Sequence, residues 1–226
     1  MPENEMNSEA VLPLVATGIS GLDHILGGGF TPNRVYLVEG NPGSGKTTMS
    51  LRWLLDGERL GEMGIYVTLS ETKAELTAVA QSHGWSLSGL SVLELVAPES
   101  ELEADNQFAM FQPSEVEMSI TTKAILAEVE RIKPRRVVID SLSEMRLLAQ
   151  SPLRYRRQIL ALKQYFIGRE CTVFLLDDLT SETEDLQLQS IAHGLRDWRS
   201  RRPRRAVREV RGRRRLCLSG QAWPGS

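Results

Sequence analysis

Strand-like and helix-like runs alternate along most of this chain. Arg34 to Glu39 is a short apolar run between turn residues, which predicts a buried strand. Gly40 to Lys46 is a glycine loop, and Thr47 to Leu60 carries Met49, Leu51, Trp53, Leu54 and Leu55 in a pattern that suits a helix. Gly64 to Leu69 reads again as a strand. Thr72 to His83 reads as a helix, with Leu76, Val79 and Ala80 on one face and Gly84 placed to end it. A third short strand is expected over Ser91 to Val96, and an acidic irregular loop over Ala97 to Pro113. Ser114 and Glu117 form a capping-box pattern that opens a helix carrying Met118, Ile120, Ile125, Leu126 and Val129 and ending near Pro134. Arg136 to Ser141 is a strand, Leu153 to Ile167 a helix, and Thr172 to Asp177 another strand. The order predicts βαβ units, hence an α/β fold with a mostly parallel central sheet and helices on both faces.

Two stretches fall outside this rhythm at the front. Residues 1–14 read as a flexible leader, and Thr17 to Phe30 is glycine-rich and reads as a turn or an entry loop rather than a long helix. At the back, the alternation stops after Gly194. The net charge of −2 over 226 residues conceals a division there. Residues 195–226 hold 11 Arg and 2 acidic residues, whereas residues 1–194 hold 16 basic and 27 acidic ones. Three readings of 195–226 stand open: an irregular, disordered basic tail, a departure from the ancestral reading frame near Leu195, and a nucleic-acid-binding tail. The organisation expected is therefore a leader over 1–14, one domain over 15–194 and an irregular tail over 195–226.

Composition changes the picture little. Apolar residues make up 41 % and charged residues 25 %, ordinary for a soluble globular protein. Cys171 and Cys217 make neither a disulfide framework nor a metal site, so a reducing cytoplasm is the expected location. The acidic, polar N-terminus lacks the pattern of a signal peptide. No run approaches the ~18 apolar residues of a membrane helix.

The chemistry is concentrated in a few positions. Gly40-Asn41-Pro42-Gly43-Ser44-Gly45-Lys46-Thr47 matches G-x-x-x-x-G-K-[ST] in full, between a predicted strand and a predicted helix. Glycines let the backbone curl so that several N–H groups point at phosphate oxygens, and the helix N-terminus adds donors and partial positive charge. Lys46 can reach the outer phosphates, Thr47 offers a hydroxyl to Mg²⁺, and Thr48 follows in the same first turn. The expected ligands are thus ATP and Mg²⁺. Asp140 ends an apolar strand and fits the carboxylate that helps hold Mg²⁺, with Asp177 and Asp178 as competitors at a neighbouring strand end. Glu71, just past a strand, is either the carboxylate that activates a water or a residue favoured by a helix dipole. His24, His83 and His193 are too scattered for a metal site, and Trp53 and Trp85 read as packing residues. Arg154, Arg156 and Arg157 read as a solvated face, the alternative being an Arg that reaches a neighbour's nucleotide.

Together these motifs resemble the KaiC-like branch of the RecA/RadA ATPases over about residues 15–194. The resemblance rests on Thr17-Gly-Ile-Ser-Gly-Leu-Asp23 with Leu26-Gly-Gly-Gly29, the P-loop, Tyr66-Val-Thr-Leu-Ser-Glu-Thr72 and Val137-Val-Ile-Asp-Ser-Leu-Ser143. It implies a RecA-like P-loop NTPase fold, ATP held between neighbouring subunits and a ring, usually a hexamer. It also gives Glu71 the catalytic role beside Lys46, although the family's paired glutamates read Ser70-Glu71 here. Some members phosphorylate themselves, but only the lone Ser190 lies near the equivalent segment. The family's apolar strand and K-x-R-G hairpin are not legible after Gly194, where Arg211-Gly212 is a partial echo. Three functions follow: a ring-forming ATPase in signalling or clock-like regulation, an ATP-holding module that turns over little and signals through a protein partner, and a RadA-like DNA-repair protein. The acidic domain argues against the last.

Overall fold

The computed structural model describes residues 13–95, 114–149, 151–178, 194–199, 208–210 and 213–219. The expected leader (1–12 of it), the acidic loop at 97–113, Ser190, His193, Arg211 and Gly212 lie outside these residues.

The elements follow the predicted alternation. They are α1 (Ser20–Leu26), β1 (Val35–Gly40), α2 (Lys46–Arg59), β2 (Gly64–Thr68), α3 (Lys73–Ser82), β3 (Ser91–Glu94), α4 (Ser114–Ile132), β4 (Arg136–Asp140), α5 (Leu142–Ala149), α6 (Pro152–Phe166) and β5 (Thr172–Asp178). Three further strands follow, β6 (Gly194–Arg199), β7 (Arg208–Val210) and β8 (Arg213–Ser219). One sheet holds them all, in the order β3-β2-β4-β5-β1-β6-β8-β7, and only β7 runs antiparallel to its neighbour.

Alternation within the strands builds two cores. Leu37, Val67, Val137, Ile139 and Val173 join one apolar cluster with residues of α4, α5 and α6. Tyr36, Val38, Tyr66, Val138 and Phe174 face the other way and join residues of α1, α2 and α3. A strand with period-two side chains that is covered on both faces reads as continuously apolar. Trp53, fully buried, stacks on Phe174 with ring centroids 3.8 Å apart, which is the packing role expected of it.

Three differences from the sequence expectations have physical causes. The glycine-rich start contains α1, a two-turn helix. Asp23 Oδ1 accepts the Thr17 N–H at 2.7 Å, and Gly27, in the left-handed region, turns the chain out of the helix. The helix α5 follows β4 at once, where none was expected, and buries Leu142, Met145 and Ala149 at helical spacing. The irregular tail expected over 195–226 is corrected in part. Gly194–Arg199 lies in the sheet beside β1, with Leu195 opposite Leu37, and β8 pairs with β6 in turn. Strand pairing uses backbone donors and acceptors, so an open edge of β1 recruits chain that carries no hydrophobic period.

Register sets the site. Asp140 of β4 lies opposite Thr68 of β2, and Gly40 of β1 opposite Asp178 of β5. The carboxyl ends of four strands therefore share one edge of the sheet, the usual place for a ligand crevice in α/β folds.

Candidate functional site

The loop from Gly40 to Gly45 leaves β1 and feeds α2. Gly43 (φ 72°) and Gly45 (φ 93°) sit in the left-handed region, which only glycine adopts without strain. The Ser44 N–H donates to the Asn41 carbonyl at 3.1 Å and closes the turn, while Asn41, Pro42 and Gly43 are exposed. Helix α2 starts without any side-chain cap and without an acidic residue in its first turn. By contrast, α3 starts with a full capping box between Thr72 and Glu75. An uncapped N-terminus after a glycine loop presents N–H donors and partial positive charge, and so fits phosphate. Thr48 is half-buried in that first turn.

Lys46 is buried, and its ammonium group donates to three acceptors. They are the Gly40 carbonyl at 2.8 Å, the Asn41 carbonyl at 3.1 Å and Asp178 Oδ1 at 2.9 Å. Thr47 Oγ donates to Asp140 Oδ2 at 3.4 Å. The Tyr66 hydroxyl donates to the same oxygen at 2.5 Å. Burial pushes the Asp140 carboxyl above the usual range, and the Tyr66 bond and the Lys46 charge hold it down in part. Burial, with the Asp140 charge second, pushes the Tyr66 phenol well above its ordinary value.

Glu71 stands just beyond β2. Its backbone is held by Thr68, whose hydroxyl donates to the Glu71 carbonyl at 2.6 Å and accepts the Glu71 N–H at 3.0 Å. Its Oε2 is buried and has no hydrogen-bond partner among the described residues. Burial raises the Glu71 pKa, and the Asp140 charge raises it further. A buried carboxylate oxygen without a donor, within electrostatic reach of Asp140, is free to accept a proton.

The structure thus brings Lys46, Thr47, Asp140 and Glu71 to one edge of the sheet and separates the two competitors. Asp178 is paired with Lys46. Asp177 is fully buried and turned away, accepting from Ser143 Oγ at 2.8 Å and Arg146 Nη2 at 2.7 Å. Sequence reasoning did not single out Tyr66 for the site. It is quoted within a motif, but only the pairing of β2 with β4 shows what its hydroxyl meets. His83 stacks on Trp85 at 4.7 Å, and the three arginines Arg154, Arg156 and Arg157 lie on α6. A separate cavity of about 390 Å³ opens at the opposite end of β4 and β5. Four of its charged residues pair within its own lining, Arg135 with Glu170 and Arg169 with Glu130, each at 2.6 Å.

A family model described as the KaiC ATPase matches residues 15–198. The chain belongs to the KaiC ATPase family. A UPF0273 protein of Pyrococcus horikoshii is 30% identical over 186 residues, which cover 80% of this chain and 74% of that protein. The circadian clock oscillator protein KaiC of Parathermosynechococcus lividus is 31% identical over 139 residues, 58% of this chain but 24% of the clock protein. Among solved structures, a KaiC-like protein from Pyrococcus horikoshii superposes with a TM-score of 0.64 at 24% identity, covering 80% of this chain and 78% of that one. The KaiC-type fold is therefore a RecA-superfamily P-loop fold in this chain too. No helix among the described residues is long and apolar enough to cross a membrane.

Proposed function

We propose that this chain binds ATP with Mg²⁺ at the Gly40–Thr48 loop and hydrolyses it slowly. The observation that carries the reading is the convergence of Thr47 and Tyr66 on Asp140 at the foot of an uncapped helix, beside Lys46 and the unpartnered Glu71 oxygen. Lys46 neutralises charge on the outer phosphates once it exchanges one of its present acceptors for a phosphate oxygen. Thr47 directs its proton to Asp140, and its lone pairs are left for a cation. Mg²⁺, when bound, supplies Lewis acidity and neutralises phosphate charge. Glu71 accepts the proton of the attacking water, a task suited to a carboxylate whose pKa is raised by burial.

Assembly into a ring, with ATP between subunits, belongs to the same proposal and is supported by family membership. A role in signalling or clock-like regulation from the cytoplasm, through a protein partner, is the setting that fits. The test is Mg²⁺-dependent phosphate release from the full chain. Lys46→Ala is expected to lose nucleotide binding, and Glu71→Gln to keep binding while turnover falls by ~10²-fold or more. Wild-type protein that binds no ATP analogue at millimolar concentration ends the reading.

A second reading, an ATP-holding module with little turnover, is favoured by Lys46, whose donors are all engaged, one of them by a carboxylate. Steady-state phosphate release that vanishes in Glu71→Gln rules against it. Autophosphorylation is not part of either reading, and radiolabelled ATP should leave the protein unlabelled. A RadA-like DNA function would require a gel shift at physiological salt, and none is expected.

A further inference from the structure

The Thr47 hydroxyl rests on the Asp140 carboxylate, and what fixes that carboxylate is a residue of a different strand. Tyr66 lies inside β2, opposite Val138 of β4, two residues before the strand pair Thr68 and Asp140. Its ring is fully buried in the cluster that holds Leu76, Val138 and Phe174. A ring held on all sides has one available direction for its hydroxyl, and that direction ends on Asp140 Oδ2. The same oxygen accepts the Thr47 hydroxyl, which leaves Oδ1 without a donor among the described residues.

We infer that Tyr66 is a positioning residue for the divalent cation, because its hydroxyl holds the Asp140 carboxylate in the orientation that receives the Thr47 proton. Thr47 can give its lone pairs to a cation only while its proton has somewhere else to go. Asp140 Oδ2 is that acceptor, and Tyr66 keeps it in place. A phenylalanine would fill the apolar site equally well. The hydroxyl therefore has no packing purpose, and in an apolar cluster it must find a partner. The inference rests on the nucleotide reading proposed above. Outer groups that orient the ligands of a metal typically change metal affinity by about 10–100-fold when removed.

The experiment is equilibrium binding of a fluorescent, slowly hydrolysed ATP analogue to the full chain, in EDTA and across a Mg²⁺ titration, for wild type and Tyr66→Phe. The variant is expected to bind the analogue in EDTA within roughly twofold of wild type, and to need at least ~10-fold more Mg²⁺ to reach half of the metal-dependent gain. Equal Mg²⁺ midpoints would overturn the inference and leave the nucleotide reading intact. Loss of binding in EDTA as well would also overturn it, since the hydroxyl would then serve the fold. If the wild type binds no analogue under either condition, the nucleotide reading fails and this inference falls with it.

Discussion

At the scale of single residues, the carboxylates around Lys46 compete with phosphate. Asp178 holds Lys46 at 2.9 Å and is itself a third exposed, with 37 % of its side chain accessible. Solvent weakens such a pair, so it is worth about 1 kcal/mol at most. Asp178→Asn removes the competing charge and should tighten nucleotide binding by up to about fivefold, which titration calorimetry can read. Weaker binding in that variant would instead make Asp178 a ligand-side group. Glu71 gives a pH signature. Its pKa is raised in the fold, so its contribution to stability is fully present below the free-glutamate value and is lost as pH rises through the raised one. Glu71→Gln is fixed neutral and escapes that loss. The melting temperature of the variant should therefore gain on wild type as pH climbs from about 4 to 7. A difference that is flat or that shrinks over this range contradicts the assignment. Lys46 and Thr47 were legible in the sequence because their motif is contiguous, and Asp140 because it ends an apolar strand. Tyr66 and Asp178 were not legible as contacts, since each meets its partner only through the register of two strands far apart in the chain.

At the scale of elements, one buried arginine ties the helix that begins the site to the strand that completes it. Arg136 starts β4, and Asp140 ends it. The Arg136 guanidinium donates to the Trp53 carbonyl at 2.7 Å, to the Ala16 carbonyl at 3.0 Å and to Glu62 Oε2 at 2.6 Å, with Asp56 Oδ2 3.9 Å away. Arg136→Ala empties a buried site and removes the donor to the Trp53 and Ala16 carbonyls and to Glu62, and should destabilise the fold by about 3–5 kcal/mol, as urea unfolding would show. Close packing makes the same point from the helix side. A Cβ on Gly57 would meet Arg136 Nε at 2.6 Å, so Gly57→Ala should cost about 1–3 kcal/mol. Either variant unfolding at wild-type denaturant concentration would remove the clamp from the account. Elements with strong patterns were legible: β1, β2, β4 and β5 through their apolar runs, and α2 through its buried stripe. The helix α5 was not assigned although Leu142, Met145 and Ala149 have its spacing, because eight residues span barely two turns and show too little of a helical period. Strands β6 to β8 were missed because their place is set by an open edge rather than by their own residues.

For the whole molecule, strand order matters more than strand content. Ending the chain after Gly194 would remove β6, β7 and β8 and leave one side of β1 unpaired. Open edges of this kind recruit other chains. The shortened protein should therefore elute as aggregate in size-exclusion chromatography. A well-behaved monomer of unchanged stability would show that β6 contributes nothing. The order also dictates a sequence of events on the ribosome. The strand that carries the glycine loop is made among the first forty residues, yet its two neighbours come from 172–178 and 194–199. A nascent chain halted before residue 172 holds the complete glycine motif and the strands β2, β3 and β4, but neither of the two strands that join β1 to the sheet. Such stalled chains should pass through an immobilised-ATP column unretained. Capture of the nucleotide is then among the last abilities this polypeptide acquires during its synthesis, although the residues that do the capturing are among the first to emerge.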